Sequence, residues 1–552
     1  MKYLLVLLLL CVPLFYSCGQ KVEAHEKPNI VFILADDCTS WDIGVYGNKD
    51  SKTPTIDELA SEGMLFEKCY QSAPMCSPTR QNILTGLYPT VSGAYPNHTN
   101  VNSNVKSIAN YLKPLGYRVA LSGKQHYGPD ENFPIEFLGK GKSLDPDFEY
   151  VDTFLKETTK GKKPFCLFLM SNQPHTPWNK GDRTLFDKDK VKLPPIYADT
   201  PETRNDYVAY LAEINYLDGQ VKQALDVLDK YDLADNTIVV FASEQGNAFP
   251  FAKWTCYNAG VKSALIVRWP GKVKAGSVSN ALVEYSDITP TFIDLAGGNK
   301  VDGLDGSSLV PVLTNQAQDH KKYTYAQMTT KGINNGSEYY PIRSISNGKY
   351  RYIRNLTPEM KFSNWVFGTP FFKEWKEDAK TNEKTASLIN KYTTRPPEEL
   401  YDDENDPYNQ NNLIEDGQYS KIKEELKNQL KKWMDKKGDE GIKTELLAFQ
   451  HMPGKASDYE VIVDEKLHEP TSNNESDIIT VTKKGYYSFY LKGKETIKVD
   501  NIEIVAENSE AKITDQRYGI IGLKKGKHTI QTNAKEVFWR GPEMKKQKIK
   551  LN

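Results

Sequence analysis

A cysteine, a proline and an arginine alternate with single residues in the stretch Ala73–Thr85, which reads APMCSPTRQNILT. Pro78 suits the first position of a helix, because its missing N–H would be unpaired there in any case. Cys76 would then lie just before the helix N-terminus, where free N–H groups and the helix dipole favour an anion. Arg80, one turn further on, adds a cation. The stretch therefore predicts a site for an oxyanion substrate, and a buried structural cysteine beside an ordinary helix start is the alternative.

Two adjacent carboxylates, Asp36 and Asp37, follow the continuous apolar run Asn29–Ala35. Such a run is typical of a buried parallel strand, and ligands in open α/β sheets gather at the carboxyl ends of strands. Two carboxylates at that position are costly unless a cation neutralises them, so the pair predicts a divalent metal. An Asx turn or a helix cap is the alternative, but it would account for one aspartate more easily than for two.

Three further apolar runs are predicted as buried strands, and each is followed by polar residues that could do chemistry. Lys124 and His126 are two residues apart, so at an extended strand end their side chains point the same way. His175 stands between two prolines that would make its loop rigid, and a loop histidine in solvent is the alternative. The runs are Tyr117–Ser122, followed by Lys124 and His126; Pro164–Met170, followed by His175; and Ile238–Ala242, followed by Glu244 and Gln245.

In type and order these motifs resemble those of the type I sulfatases. Cys76-Ser77-Pro78-Thr79-Arg80 is similar to the family's recognition core for oxidation of cysteine to formylglycine, and Gly123–His126 and Pro174–Pro177 are similar to two further family segments. The similarity runs from about Pro28 to about Trp433 and is greatest to the heparan sulfamidase branch and its bacterial relatives. It implies that the hydrated aldehyde of residue 76 attacks sulfur.

The resemblance also implies a role for each site residue. Arg80, Lys124 and Lys253 would surround the sulfate; His175 would protonate the leaving atom; and His126 would take a proton from the second hydroxyl of residue 76. Most members have Asp-Asn where this chain has Glu244-Gln245, so the ligand types are kept while their reach changes. The implied catalytic residues are Cys76, Arg80, Lys124, His126, His175 and Lys253, and the implied metal ligands are Asp36, Asp37, Cys76, Glu244 and Gln245.

Apart from residue 76, the predicted ligands offer only oxygen atoms; they are Asp36, Asp37, Glu244 and Gln245. Hard oxygen ligands without histidine favour calcium or magnesium over zinc, and calcium is the prediction, with magnesium second. Four further side chains are candidates for the wall of a substrate pocket, each with a structural role as the alternative: His98, Trp178, Trp254 and Arg343.

The fold implied by the resemblance is an α/β, alkaline phosphatase-like mixed sheet sandwiched by helices. A small C-terminal sheet-plus-helix subdomain and an appended antiparallel β domain would follow, the latter indicated by short alternating strands and Gly-Lys turns after about Ser457. A length of 552 residues agrees with several domains. The predicted divisions are a leader over 1–26, a catalytic domain over 27–320, the subdomain over 321–455 and the β domain over 456–552.

The N-terminus has the form of an export signal. Met1-Lys2 precedes a short apolar run from Tyr3 to Tyr16, too short to span a membrane. Ser17-Cys18 resembles a bacterial lipobox, which predicts a periplasmic or cell-surface lipoprotein anchored at Cys18 by lipid alone. A plain signal peptide and a secreted protein are the alternative.

The balance of charge excludes one class of partner. With 71 basic and 72 acidic residues and no basic block, the chain is not predicted to bind nucleic acid. The resemblance to the sulfatases implies the predicted function, which is hydrolysis of sulfate esters, or N-sulfate, of a sulfated polysaccharide or its oligosaccharides, after a formylglycine-generating or sulfatase-maturing enzyme has modified Cys76. The alternatives are a phosphoesterase or phosphonate hydrolase of the same superfamily, and an inactive glycan-binding surface lipoprotein.

Overall fold

The computed structural model describes residues 27–141, 143–451, 462–471, 477–509, 516–542 and 546–550. The predicted leader with Cys18 lies outside the described residues. The strands are β1 (Asn29–Ala35), β2 (Met64–Phe66), β3 (Cys69–Tyr70), β4 (Arg118–Gly123), β5 (Glu136–Phe137), β6 (Phe165–Met170), β7 (Thr237–Ser243), β8 (Lys262–Ser263), β9 (Leu265–Arg268), β10 (Ser277–Ser279), β11 (Val283–Glu284), β12 (Thr324–Met328), β13 (Ile342–Ser346), β14 (Tyr350–Asn355), β15 (Glu398–Asp402), β16 (Val463–His468), β17 (Ile478–Val481), β18 (Gly485–Lys492), β19 (Ile497–Val499), β20 (Ile502–Val505), β21 (Gln516–Leu523), β22 (Gly526–Thr532), β23 (Phe538–Arg540) and β24 (Gln547–Lys548).

Helices separate the strands of the first half of the chain and recur in the second half. The helices are α1 (Pro54–Glu62), α2 (Cys76–Thr85), α3 (Pro89–Ser92), α4 (Ile108–Leu112), α5 (Phe148–Gly161), α6 (Pro201–Lys230), α7 (Asn258–Val261), α8 (Ile288–Leu295), α9 (Val310–Leu313), α10 (Pro370–Asp378), α11 (Glu383–Thr393), α12 (Ser420–Lys437) and α13 (Ile442–Leu447). Within the described ranges, no helix is both long enough and apolar enough to cross a membrane.

An eight-stranded mixed sheet forms the centre of the molecule, in the order β10-β2-β9-β7-β1-β6-β4-β5. Strand β1 pairs in parallel with β6 and β7, and β4 pairs in parallel with β6, whereas β9 runs antiparallel to β7. Alternate side chains of β1 enter different apolar clusters, Val31 and Ile33 one, Phe32 and Leu34 the other. Both faces of the strand are therefore buried, which explains its unbroken apolar sequence.

Helices cover both faces of this sheet. The apolar side of α6 packs into the cluster that contains Val31, while α4 and α8 pack into the cluster that contains Phe32. A mixed sheet between two helical layers is the predicted α/β, alkaline phosphatase-like arrangement, and this prediction is confirmed.

The start of one helix differs from the prediction. Helix α2 begins at Cys76 itself, with Met75 as its N-cap residue and Pro78 in its first turn. Proline is tolerated there because the N–H groups of the whole first turn lack intrahelical partners. Helix α4 begins at Ile108, where Ser107 and Asn110 form a capping box.

The C-terminal part contains further sheets. Strands β12 to β15 form an antiparallel sheet that packs against Leu426, Leu430 and Trp433 of α12, as the sequence predicts for a sheet-plus-helix subdomain. The tail forms a five-stranded and a four-stranded sheet around one apolar cluster. These are not purely antiparallel as predicted, because β16 pairs in parallel with β21. The domain boundaries themselves remain predictions.

Candidate active site

Charged side chains from four parallel strands meet at one edge of the central sheet. Asp36 follows β1, Lys124 follows β4 and Glu244 follows β7, and the loop after β6 carries His175. Because parallel strands end at the same edge, residues that are distant in sequence become neighbours here. The structure thus brings together the predicted strand-end residues beside the N-terminus of α2.

Arg80 lies at the centre of this cluster and is fully buried. Its Nη2 atom lies 2.7 Å from Oε1 of Glu244 and 3.4 Å from Oδ2 of Asp36. Its Nη1 donates to the backbone carbonyl of Lys124 at 2.7 Å, and Nη2 also donates to that of Ser171 at 3.2 Å. The guanidinium therefore contacts residues at the ends of four strands and compensates two buried carboxylates.

Asp37 organises the other half of the cluster. Lys253 Nζ lies 2.7 Å from its Oδ1 atom, and the side-chain amide of Gln245 donates to the same oxygen at 2.7 Å. His175 Nε2 lies 3.6 Å from Oδ2 of Asp37. The Nδ1 atom of His175 is 2.6 Å from the carbonyl oxygen of Thr176, which can only accept, so Nδ1 carries the proton and Nε2 faces the cluster.

Burial and pairing set the ionisation of these groups. Burial alone would raise the pKa of Asp36, but Lys124, His175 and Arg80 hold it well below its usual value. Lys124 also forms an ion pair with Asp36. Burial raises the pKa of Glu244 well above its usual value, against the opposing effect of Arg80. The cluster therefore contains one carboxylate that is firmly ionised and one that is not fully compensated.

Three oxygen atoms in this cluster are buried without a hydrogen-bond partner among the described residues, namely Oδ1 of Asp36, Oε2 of Glu244 and Oε1 of Gln245. Buried acceptor atoms without a partner destabilise the folded state unless a cation binds them. Asp36, Asp37 and His175 also form a group in which one potential ligand atom from each lies within 4.8 Å of the others, the one group of its kind in the described part of the chain. The residues present thus fit one hard divalent metal ion.

Cys76 reaches the cluster from the first position of α2. The side chain is buried, and its Sγ donates to Oδ1 of Asn97 at 3.7 Å. Sequence reasoning missed Asn97, because nothing in its own segment indicates chemistry. Its position depends on the main chain of a distant loop, where its N–H donates to the carbonyl of Lys331 at 3.1 Å.

His98, beside Asn97, contacts the predicted site histidine. Its Nδ1 atom lies 2.8 Å from Nε2 of His126, and the His98 side chain is exposed while that of His126 is largely covered. The Nδ1 atom of His126 is buried without a partner among the described residues. The pair therefore forms the solvent-facing border of the site.

Backbone strain is concentrated at this edge. Residues other than glycine rarely adopt a positive φ, and such strain clusters at functional sites. The site residues with positive φ are Asp37 (57°), His98 (59°), His126 (51°), Gln245 (26°) and Trp254 (65°).

Three of the four predicted pocket-wall residues lie in the interior. Arg343 is fully buried and paired with Asp439, whose Oδ1 lies 3.0 Å from its Nη2. Trp178 stacks on Phe249 with ring centroids 5.1 Å apart. Trp254 is 5% exposed and lies under Lys253, whose Nζ is 4.9 Å from the ring centroid. These placements agree with the structural role that the sequence left open for each residue, because the sequence shows an arginine or tryptophan but not the core that covers it.

The histidine pair gives the fold a dependence on pH. Burial, Lys124 and Arg80 lower the pKa of His126 to about 3, whereas an unfolded histidine titrates near about 6.5. Between these two pH values the unfolded chain binds a proton at His126 and the folded chain does not. The free energy of unfolding is therefore unaffected by His126 above about pH 6.5 and decreases as the pH falls towards 3. We expect the His126→Gln variant to lose less stability than the parent between neutral and mildly acidic pH in urea unfolding. Equal losses would contradict the assignment.

Comparisons with known proteins agree with this geometry. The family described as Sulfatase matches residues 28–298, and the family described as N-sulphoglucosamine sulphohydrolase, C-terminal, matches residues 246–363. An ulvan-active sulfatase of Formosa agariphila is 34% identical over 432 residues, covering 75% of this chain and 81% of that protein. The human N-sulphoglucosamine sulphohydrolase is 27% identical over 464 residues, covering 73% and 89%.

A solved structure of a complex with D-glucosamine-2-N,6-O-disulfate, described as its substrate, has a TM-score of 0.59 at 20% identity, covering 75% of this chain and 99% of the other. At this identity the likeness shows the fold alone. The family matches and the relative at 34% identity show that the chain belongs to the sulfatase family and is a sulfuric ester hydrolase.

Proposed function

We propose that this sulfatase removes sulfate from a sulfated saccharide with formylglycine, formed from Cys76, as its nucleophile. The supporting observation is the placement of Cys76 at the start of α2 beside Asn97 and beside three cations that are already held by carboxylates. Positive charge fixed before the substrate arrives stabilises the charge that develops on sulfate oxygens. A thiol with a purely structural role would not need these cations around it.

The first step forms one bond to sulfur and breaks another. One hydroxyl of the hydrated aldehyde gives up its proton to water, its oxygen attacks sulfur in line, and the bond from sulfur to the saccharide oxygen breaks. His175, protonated on both ring nitrogens at this stage, gives its Nε2 proton to that leaving oxygen, or to nitrogen in an N-sulfate, and becomes neutral. Its Nε2 faces the cluster because Nδ1 is committed to the carbonyl of Thr176. The products are the free saccharide and sulfate bound covalently to residue 76.

The second step regenerates the aldehyde. His126 takes the proton of the remaining hydroxyl on residue 76, the carbonyl double bond forms, and the bond from carbon to the sulfate oxygen breaks. Inorganic sulfate leaves, and water hydrates the aldehyde again. The contact between Nε2 of His126 and Nδ1 of His98 orients the His126 ring and leaves Nδ1 of His126 available for this transfer.

A divalent metal, which we propose to be calcium, would be held by Asp36, Asp37, Glu244 and Gln245. When bound, it would polarise a sulfate oxygen and lower the pKa of the attacking hydroxyl. Its preference over magnesium follows from the donors, because calcium accepts several carboxylate and amide oxygens in flexible geometry.

Removal of the metal gives the first functional prediction. Dialysis against EDTA should abolish sulfate release and lower the melting temperature, because three buried oxygens then lose their partner. Calcium should restore both, and magnesium should restore less. The Gln245→Leu variant is a second test, since it removes one of the proposed ligand oxygens. It should show a smaller calcium-dependent rise in melting temperature than the parent. An EDTA-treated enzyme of unchanged activity and melting temperature would contradict the metal site.

His98 gives the second functional prediction. The His98→Ala variant should reduce kcat about tenfold with little change in KM for a small substrate, because His126 loses the partner that orients it. The His98→Asn variant should recover most of the activity, since its side-chain amide can occupy the position of Nδ1. A loss confined to KM would instead identify His98 as a substrate contact.

The phosphoesterase alternative is tested by the same panel that identifies the substrate. Sulfate and phosphate release should be measured on matched sulfated and phosphorylated saccharides, including O-sulfated, N-sulfated and ulvan-derived oligosaccharides. The single group of potential metal ligands in the described residues favours sulfate, which carries less charge than phosphate and needs fewer metal ions. Faster phosphate release would overturn the proposal.

Export and maturation belong to the same proposal. The apolar N-terminal run and Ser17-Cys18 support an exported protein. It would be either a lipoprotein anchored to a membrane at Cys18 or a secreted protein with an ordinary signal peptide. A formylglycine-generating or sulfatase-maturing enzyme would be its partner during synthesis. A Cys18→Ala variant that still fractionates with membranes would exclude the lipid anchor.

A further inference from the structure

A cleft with strong positive charge lies between the tail and the C-terminal subdomain. Its volume is about 590 Å³, and five lysines and two glutamates line it. This leaves three positive charges in excess, in a chain whose formal net charge is −1. The cleft is therefore a local departure from an otherwise balanced charge. The charged lining residues are Lys361, Lys483, Lys484, Lys524, Lys525, Glu359 and Glu469.

Two short connections deliver four of these lysines to one place. The connection 482–484 joins β17 to β18, and the connection 524–525 joins β21 to β22. Gly485 pairs with Leu523 in one sheet, and Val481 pairs with Gly526 in the other. Register on both sides therefore holds the two Lys-Lys-Gly sequences next to each other.

Both connections are fixed by glycines that pack against prolines. A Cβ atom on Gly485 (φ 154°) would lie 2.6 Å from Pro542, and one on Gly526 (φ 149°) would lie 2.4 Å from Pro470. The main chain is thus locked in conformations that other residues rarely adopt. The lysines project from these turns, and Lys524 forms an ion pair with Glu469.

Lysines gathered in one cleft attract a ligand of opposite charge. The described lining residues offer mainly ammonium groups, with two carboxylates, and no aromatic side chain is among them. Single-stranded nucleic acids are held by stacking on aromatic rings as well as by cations, so they fit poorly. Sulfate groups spaced along a polysaccharide need only cations.

We propose that this cleft is a second, non-catalytic binding site for the sulfated polysaccharide, separate from the active site. The proposal rests on the proposed function in that it takes the same substrate class. Holding the polymer at the tail would raise its effective concentration at the active site and leave small substrates unaffected.

The test compares two charge-matched variants in a Cys76→Ala background, so that hydrolysis cannot alter the probe. The cleft variant carries Lys→Gln at positions 483, 484, 524 and 525, and the control variant carries Lys→Gln at the exposed positions 156, 160, 163 and 188. Binding of dextran sulfate is measured across a range of salt concentrations, with neutral dextran and a DNA duplex as further probes. Thermal melting verifies that both variants fold.

We expect the cleft variant to bind dextran sulfate at least about tenfold more weakly and with a shallower salt dependence, and the control variant to bind like the parent. Equal weakening in both variants would overturn the proposal, as would unchanged binding in the cleft variant. If DNA binds as tightly as dextran sulfate and the cleft variant loses both, the cleft is a surface for polyanions in general, and the proposal of a glycan site is overturned. Because binding needs no formylglycine, failure of the proposed chemistry would leave this result unaffected.

Discussion

Replacing Cys76 by alanine is expected to reduce sulfate release by about 10⁴-fold or more, because the nucleophile of the proposed reaction is removed entirely. The fold should survive, since a buried thiol is exchanged for a methyl group at the first position of α2. Initial rates of sulfate release from the best saccharide of the panel measure the effect, and circular dichroism and thermal melting verify the fold.

Cys69 offers a matched control for this variant. It is also buried and lies seven positions earlier, but in β3 and without a Pro-x-Arg sequence after it. Cys69→Ala should retain activity close to that of the parent. Substantial activity in Cys76→Ala would contradict a role of residue 76 as nucleophile, and equal losses in both variants would indicate a structural effect.

Replacing Arg80 by methionine is expected to affect both stability and activity. Without the guanidinium, Asp36 and Glu244 lose a compensating cation in a fully buried setting. Breaking such a buried pair costs about 3–5 kcal/mol, and removing one charge-stabilising donor lowers kcat by about 10²–10³-fold. Urea unfolding in EDTA and steady-state kinetics with calcium measure the two effects separately.

Arg118 serves as the control for Arg80. It pairs with Glu136 and Glu157 at the surface, with its side chain 28% exposed. Solvent-exposed pairs contribute about 0–1 kcal/mol, so Arg118→Met should change stability little and activity not at all. A loss below about 1 kcal/mol for Arg80→Met would contradict the central position assigned to this guanidinium.

Strand-end residues of the candidate site could be predicted because their signals are local. An apolar run such as Asn29–Ala35 indicates a doubly buried strand, and parallel strands that end together bring their following residues to one edge. Asp36, Lys124, His175 and Glu244 are therefore neighbours in the structure as the sequence indicates.

Side chains whose surroundings come from distant segments could not be placed in this way. Asn97 meets Cys76 because a loop at Lys331 holds its main chain, and no pattern in its own segment reports that contact. Arg343 and Trp178 look like pocket residues by type, yet Asp439 and Phe249 enclose them. The parallel pairing of β16 likewise depends on long-range register.

The mass of the tryptic peptide that spans Cys69 to Arg80 tests the central claim most directly. The protein should be produced together with a formylglycine-generating enzyme, and the peptide carries Cys69 as an internal unmodified cysteine. We predict a mass loss that corresponds to conversion of one thiol to an aldehyde, located by fragmentation at residue 76. Unmodified thiols at both positions in an active enzyme would contradict the formylglycine mechanism.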